Sequence, residues 1–302
     1  MLTSIIENNS LDAPIQLPSL KMEPFLHHID IDLMQNHKIN NMNRLFVLFP
    51  LILFTLGGLQ AQYLEVGVLG GASNYKGDLQ SRTIEPTEIH AAVGAFARYN
   101  FSKHFAVRLQ GMVTKVSGSD ANHRANNPLR MRTLSFESSI IEAALLAEIN
   151  VFGFDVRDQK GSSIFVFGGV GAVKFNPRAE LLGIMYDLQP LGTEGQNQST
   201  SNYSLVSAAF PVGIGARIAI NHKLNVSLEY GLRFTLTDYI DDVSTTYPDL
   251  NVMSGIDPIA ASLTYRSLEI DPSAPVNPFG ESRGDASSMD QYMVCLLYTS
   301  DA

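Results

Sequence analysis

Apolar and polar residues alternate with a period of two through most of the chain after residue 62. From Leu224 to Thr237, the side chains of Leu224, Val226, Leu228, Tyr230, Leu232, Phe234 and Leu236 fall on one side. Asn225, Ser227, Glu229, Gly231, Arg233, Thr235 and Thr237 fall on the other. Successive strand residues point to opposite faces, so this pattern predicts a strand with one apolar and one polar face. It is much longer than the roughly five or six residues usual in soluble sheets. The same reading predicts strands over Tyr63–Gly70, Glu88–Asn100, Phe105–Val116, Leu134–Ile149, Ile164–Phe175 and Leu205–Ile220, with Met289–Val294 opening an eighth. Ile140–Leu146 would also suit a helix. Glu142 and Glu148 nevertheless share one strand face, opposite Ile141, Ala143, Leu145, Ala147 and Ile149.

The connections alternate in length. Ser102-Lys103-His104 and Asn221-His222-Lys223 are tight turns and Asn150–Ser163 is a modest one, whereas 71–87, 117–133, 176–204 and 238–288 are long and polar. Short turns at one end and long loops at the other are the arrangement of an outer-membrane barrel. A soluble sandwich would bury its apolar faces against each other and leave the loop asymmetry unexplained. Lipid tolerates no open sheet edge, so the strands must close. The expectation is an all-β, eight-stranded antiparallel transmembrane barrel.

With the apolar set facing lipid, Glu65, Arg98, Arg108, Glu142, Glu148, Lys174, Arg217, Glu229 and Arg233 are expected inside. There, opposite charges would form a salt-bridged plug and not an open pore. Tyr63, Tyr99, Phe101, Phe105, Phe152 and Phe154 gather near the short turns, where an aromatic girdle belongs.

Both ends of the chain read differently. In residues 42–61 a positive Arg44 precedes the uncharged apolar run Leu45–Leu56, and small residues lead to Ala61. This is the pattern of a signal peptide for export to the Gram-negative outer membrane. Residues 1–41 show no sustained periodicity and read as an extension upstream of a true start at Met42 or Met34. Residues 295–302, Cys-Leu-Leu-Tyr-Thr-Ser-Asp-Ala, match the translation of a sequencing-library adapter, so the last strand is expected to be truncated. The barrel itself is assigned to 62–294.

Composition narrows the function. Charged residues make up 17% of the chain, low for a soluble domain, and the net charge is −9, which opposes a nucleic-acid partner. The single cysteine excludes a disulfide framework or a cysteine-built metal site. His90, His104, His123 and His222 form no ligand pair. Asp238, Asp241 and Asp242 offer hard oxygens but lack the spacing and glycine of a calcium loop. Ser117 or Ser119 with His123 would be a nucleophile–base pair without a surrounding motif. Gly168-Gly169-Val170-Gly171 lies within a strand with no helix after it, so it is not a nucleotide loop. Arg283-Gly284-Asp285 has the form of an adhesion tripeptide. No catalytic residue, metal, cofactor or small-molecule substrate is expected.

Asp238–Asp290 contains ten acidic residues against Arg266 and Arg283, while the second loop sets Arg124, Arg130 and Arg132 against Asp120. The acidic loop could fold over the barrel mouth, bind a partner, or simply be solvated.

Four segments, in this order, carry a resemblance. They are Gly67–Leu79 (with Ser73, Tyr75, Gly77 and Asp78), Leu188–Gln196 (with Gln189, Pro190, Gly192, Glu194 and Gly195), Thr237–Ser244 (with Asp238, Tyr239, Asp241 and Asp242), and Arg283-Gly284 with Asp290 and Tyr292. Together they resemble the PorG-like outer-membrane barrels, a family long classed only as a domain of unknown function. The resemblance implies a non-enzymatic component of the type IX protein secretion and gliding machinery. Its partners would be outer-membrane lipids and the periplasmic lipoprotein-and-ring proteins (PorK–PorN type), docked at turns such as Asn150–Ser163. The alternative is a stand-alone barrel that acts as an adhesin or surface-binding protein through its outer loops.

Overall fold

The computed structural model describes residues 64–80, 82–154, 162–199, 201–221 and 224–301. The expected signal peptide, the upstream extension, Tyr63, and parts of the turns after Asn150 and Asn221 lie outside these. The strands are β1 (Leu64–Lys76), β2 (His90–Asn100), β3 (Phe105–Ser119), β4 (Ser135–Asn150), β5 (Ser162–Leu181), β6 (Ile184–Asp187), β7 (Val206–Asn221), β8 (Leu224–Thr235) and β9 (Gln291–Asp301). All pairings are antiparallel. Neighbours run β4-β3-β2-β1-β9-β8-β7-β5, and a β4–β5 ladder closes the ring. Eight strands therefore form a closed barrel, and β6 pairs only with β5, as a hairpin standing on the outer rim. Its two-residue turn places Leu182 at φ 53° and Gly183 at φ 82°, the left-handed pair that suits the twist of a tight hairpin.

The outer wall is apolar because alternation leaves it so. On β3, Phe105, Leu109 and Val113 are exposed while Ala106, Arg108, Gln110 and Met112 are buried. Phe105 to Val113 spans about 27 Å of strand at ~3.4 Å per residue. At the ~40° tilt of barrel strands this is about 20 Å of depth, close to the height of a lipid-facing band. Beyond Val113 the outward position is Lys115, paired with Glu137 at 2.8 Å, which marks the rim. At the opposite end Tyr99, Phe101 and Phe105 form a run of ring contacts, at 4.8 and 5.7 Å between centroids.

Two sequence expectations are corrected. Lys174 does not enter the lumen. It is exposed, in register with Ile141 and Val206 on the outer wall, and Val173 and Phe175 are the buried neighbours. On β5 both faces are apolar (Phe165, Phe167 and Val173 inside; Ile164, Val166 and Val170 outside), so hydropathy alone could not choose between them. The lysine lies near the rim, where its stem can stay in lipid and its ammonium can reach the headgroups. Phe154 likewise leaves the girdle. It is buried, with the Arg217 guanidinium 5.3 Å from its ring centroid.

The strands also run farther outward than the alternation marks, β1 to Lys76 and β5 to Leu181, so stretches expected as loop are ladder. Strand β2 starts only at His90, since Pro86–Glu88 form a 3-10 turn. Residues 295–301, expected as a foreign tail, continue β9, in register with β1 throughout and with β8 as far as Ser300.

Candidate functional site

Two polar assemblies fill the barrel. The lower one occupies the lumen, with Glu65, Glu142, Glu148 and Glu229 facing Arg98, Arg108, Arg217 and Arg233, all fully or almost fully buried. With Lys174 outside, the charges balance four to four. Glu148 is the hub: Arg98 Nε lies 2.9 Å, Arg108 Nε 3.1 Å and Arg217 Nη2 2.7 Å from its carboxylate. Arg108 also reaches Glu229 at 2.7 Å, and Arg233 contacts Glu142 at 3.4 Å. Glu65 accepts from Asn100, Asn225 and Ser300, and Tyr292 donates to Glu142. Aromatic rings occupy the remaining space; the Arg98 guanidinium sits 4.9 Å from the Phe96 ring centroid and that of Arg217 4.8 Å from Phe165. Glycines make room for these rings. A Cβ on Gly67 would meet Phe96 at 2.6 Å, and one on Gly215 would meet Phe165 at 2.2 Å.

The upper assembly is a cap built from all four outer loops. The start of the fourth loop dips into the mouth, where Ile240 and Val243 join the barrel core beside Tyr75 and Leu79. The Tyr75 hydroxyl lies 2.6 Å from Asp241 Oδ2 and 2.5 Å from Asp290 Oδ1. A phenol has one hydrogen, so the second contact requires a proton on one of the two carboxyls. Burial, and then the neighbouring carboxyl, push Asp241 well above the usual carboxylate range. Burial likewise raises Asp290. Asp238, buried close by, is pushed up to about 8 by burial and by Asp290. Gly77 has to be glycine here, because a Cβ would sit 1.9 Å from the Tyr75 hydroxyl and 2.1 Å from Asp290.

Glu194, from the third loop, gathers the fourth. It accepts from Ser244 N at 2.8 Å, Thr245 N at 3.0 Å and Thr245 Oγ1 at 2.7 Å, and pairs with Arg283 at 3.1 Å. Left-handed Gly192 and Gly195 turn the chain on either side of it. Asp242 accepts from Tyr203 at 2.6 Å and from Thr193, and lies 3.6 Å from Arg283. Tyr239 stacks on Tyr203 at 4.3 Å, and Gln189 donates to the Tyr203 carbonyl. The Pro190 carbonyl accepts from Asn197, and Ser73, one turn of the pleat below Tyr75, bonds Thr114 at 2.7 Å. Asp78 accepts from the Asp285 N–H at 2.8 Å. The resemblance motifs, far apart in sequence, thus meet mostly in one cap.

Sequence reasoning placed Arg132 among the basic residues of the second loop, opposite Asp120, without seeing that it ties loops together. Its guanidinium grips Asp120 through two bonds of 2.7 and 3.1 Å, and it also donates to the carbonyls of Asp78 and Arg283, joining the first, second and fourth loops. Arg and Asp twelve residues apart in one loop were the available signal. The acidic loop is therefore folded over the mouth, with Asp241, Asp242 and Asp290 bonded inside the cap.

The remaining candidates resolve as follows. Ser117 lies between His90 (2.6 Å) and Glu88, so the serine occupies the middle position that a catalytic base would need. Ser119 caps a 3-10 turn, and His123 lies 3.4 Å from Asp120. Arg283 is buried, so the tripeptide is not presented to a receptor. Gly169 and Gly171 let β5 approach β4, a Cβ meeting Leu145 O at 2.1 Å and Ala143 O at 2.7 Å respectively. Among the described residues no group of three His, Cys, Asp or Glu side chains is placed to hold a metal ion.

A family model described as a domain of unknown function (DUF6089) matches residues 43–255. No curated protein matches the sequence. Similar solved structures include OprG from Pseudomonas aeruginosa, 10% identical, covering 80% of this chain and 97% of that one with a TM-score of 0.35. Ail, the attachment invasion locus protein of Yersinia pestis, in complex with the heparin analogue sucrose octasulfate, is 8% identical over 79% and 96% with a TM-score of 0.34. The N-terminal β-barrel domain of P. aeruginosa OprF is 8% identical over 79% and 97% with a TM-score of 0.32.

Proposed function

Since the chain belongs to the DUF6089 family and folds as a closed, charge-filled barrel, we propose that it is a non-enzymatic structural anchor in the outer membrane. The observation that carries this reading is the lumen. Four carboxylates and four guanidiniums, packed with aromatic rings, leave the barrel solid, and the mouth above them is roofed by the cap. A solid barrel conducts nothing; what it offers is a rigid seat in lipid with surfaces at both ends.

The resemblance to PorG-like barrels supplies the identity of the partner. The short turns, including Phe101–His104 and Val151–Phe154, face the periplasm and dock the lipoprotein-and-ring complex of the type IX secretion and gliding machinery. Detergent extraction of a tagged barrel is the test: the periplasmic ring proteins are expected to co-purify, and secretion is expected to fail in a deletion strain. Recovery of the barrel alone, with normal secretion, overturns the machinery role and leaves the stand-alone surface-binding reading. Ion conductance of the purified barrel in a planar bilayer would overturn the solid-anchor reading itself.

A further inference from the structure

On the outer face, beside the cap, the first and second loops enclose an open cavity of about 430 Å³ lined by Arg82, Asn122, Arg124, Asn126 and Asn127. That size falls in the ~300–1,000 Å³ range of small-molecule sites. Among the described residues, its lining is two arginines and three asparagines. The floor is built from fixed parts. Asn122 donates to Glu88 at 2.7 Å, Asn127 caps the turn at Leu129 and contacts His123, and the Asp120–Arg132 clamp holds the loop from below. Arg82 is partly committed to Glu85 at 3.3 Å, whereas Arg124 has no carboxylate within salt-bridge range among the described residues.

Guanidiniums fork onto phosphate oxygens, and carboxamides both donate to and accept from sugar hydroxyls. Two residues along the same loop from Arg82, at most about 7 Å of chain, Ile84 begins a second, apolar crevice. That crevice holds about 150 Å³ on the outer wall, between Ile84, Ile89, Tyr230 and Met293. Ile84 and Ile89 are both about half exposed beside it.

The geometry points to a binding site for a phosphorylated glycolipid of the outer leaflet, its phosphosugar head in the arginine–asparagine cavity and an acyl chain along the crevice. The first loop serves both ends of such a ligand, and a free phosphate or a soluble phosphosugar would use only one. Binding by the full chain in nanodiscs separates the sources, with three probes: lipopolysaccharide, its deacylated phosphorylated oligosaccharide, and inorganic phosphate. Lipopolysaccharide is expected to bind tightest, the oligosaccharide more weakly, and phosphate negligibly. Arg124→Glu should weaken the first two at least tenfold, and Ile89→Asp should weaken lipopolysaccharide alone. Both positions are exposed, and unchanged heat-modifiable gel mobility verifies folding. Equal binding by wild type and Arg124→Glu overturns the site, and equal affinity for the acylated and deacylated probes overturns the lipid assignment. Phosphate competing as well as the sugars overturns the saccharide.

Discussion

Arg98 and Arg108 stand directly opposite each other across the β2–β3 ladder, two like charges in register with both side chains fully buried. Such a pair is repulsive by itself. It persists because Glu148, from β4, forms ion pairs with both and with Arg217 as well. Glu148→Gln should therefore cost about 3–5 kcal/mol, the range for breaking a buried ion pair and leaving its partner uncompensated. Urea unfolding in detergent, followed by the loss of the compact gel band, measures it.

Lys174 should behave oppositely. Facing the lipid rim and not the lumen, it can be replaced by Leu with a change of no more than ~1 kcal/mol, as is usual for a charge near the interface. A loss comparable to that of Glu148→Gln would return the side chain to the interior.

The cap should unlock at defined points without opening the barrel. Glu194 and Arg283 pair across two loops and share Asp242 and Thr245 as neighbours. Glu194→Gln and Arg283→Ala are expected to be non-additive, with a coupling of about 0.5–3 kcal/mol in a double-mutant cycle. The readout is proteolytic cleavage within 245–285, while the heat-modifiable mobility of the barrel stays as in the wild type.

Gly77→Ala should reproduce the effect of Tyr75→Phe. The added methyl would occupy the position of the Tyr75 hydroxyl, and the phenylalanine simply lacks that hydroxyl. Either change separates Tyr75 from Asp241 and Asp290 and should raise the rate of cleavage in the fourth loop. If Gly77→Ala left the loop protected, the contact of Tyr75 with both carboxyls would be wrong.

The cap should also loosen as pH rises. Burial raises Asp290 and Asp241, pushes Asp238 up to about 8, and takes Asp242 to about 6 against the pull of Arg283. Facing them are Arg283, Arg132, Glu194, Asp78 and the Tyr75 hydroxyl. In an opened cap these carboxyls titrate near ~3.9. The closed cap then holds more protons between about pH 4 and 8, and stability falls wherever the folded state binds more protons. This contribution is full below about pH 4 and is lost as pH climbs through the raised values. Hydrogen exchange of the Ile240 and Val243 amides should be slower at pH 5.5 than at pH 8.5 after correction for intrinsic rates.

The sequence by itself determined the strands, the closure and most of the charged lumen, because each depends on a local period of two read against lipid. Leu224–Thr235 shows this most plainly: every polar residue of that run that is not glycine is buried and its apolar set faces outward. Tertiary structure decided what that period leaves degenerate. The two faces of β5 are almost equally apolar, so only its pairing with β4 and β7 turned Lys174 outward and brought the luminal charges into balance. The cap was beyond any local pattern. Tyr75 and Asp290 are separated by 215 residues and Glu194 and Arg283 by 89, and they meet only because the closed barrel brings its four outer loops to one mouth. Burial there, and not the residue types, decided among the alternatives the acidic loop left open and folded it over the mouth.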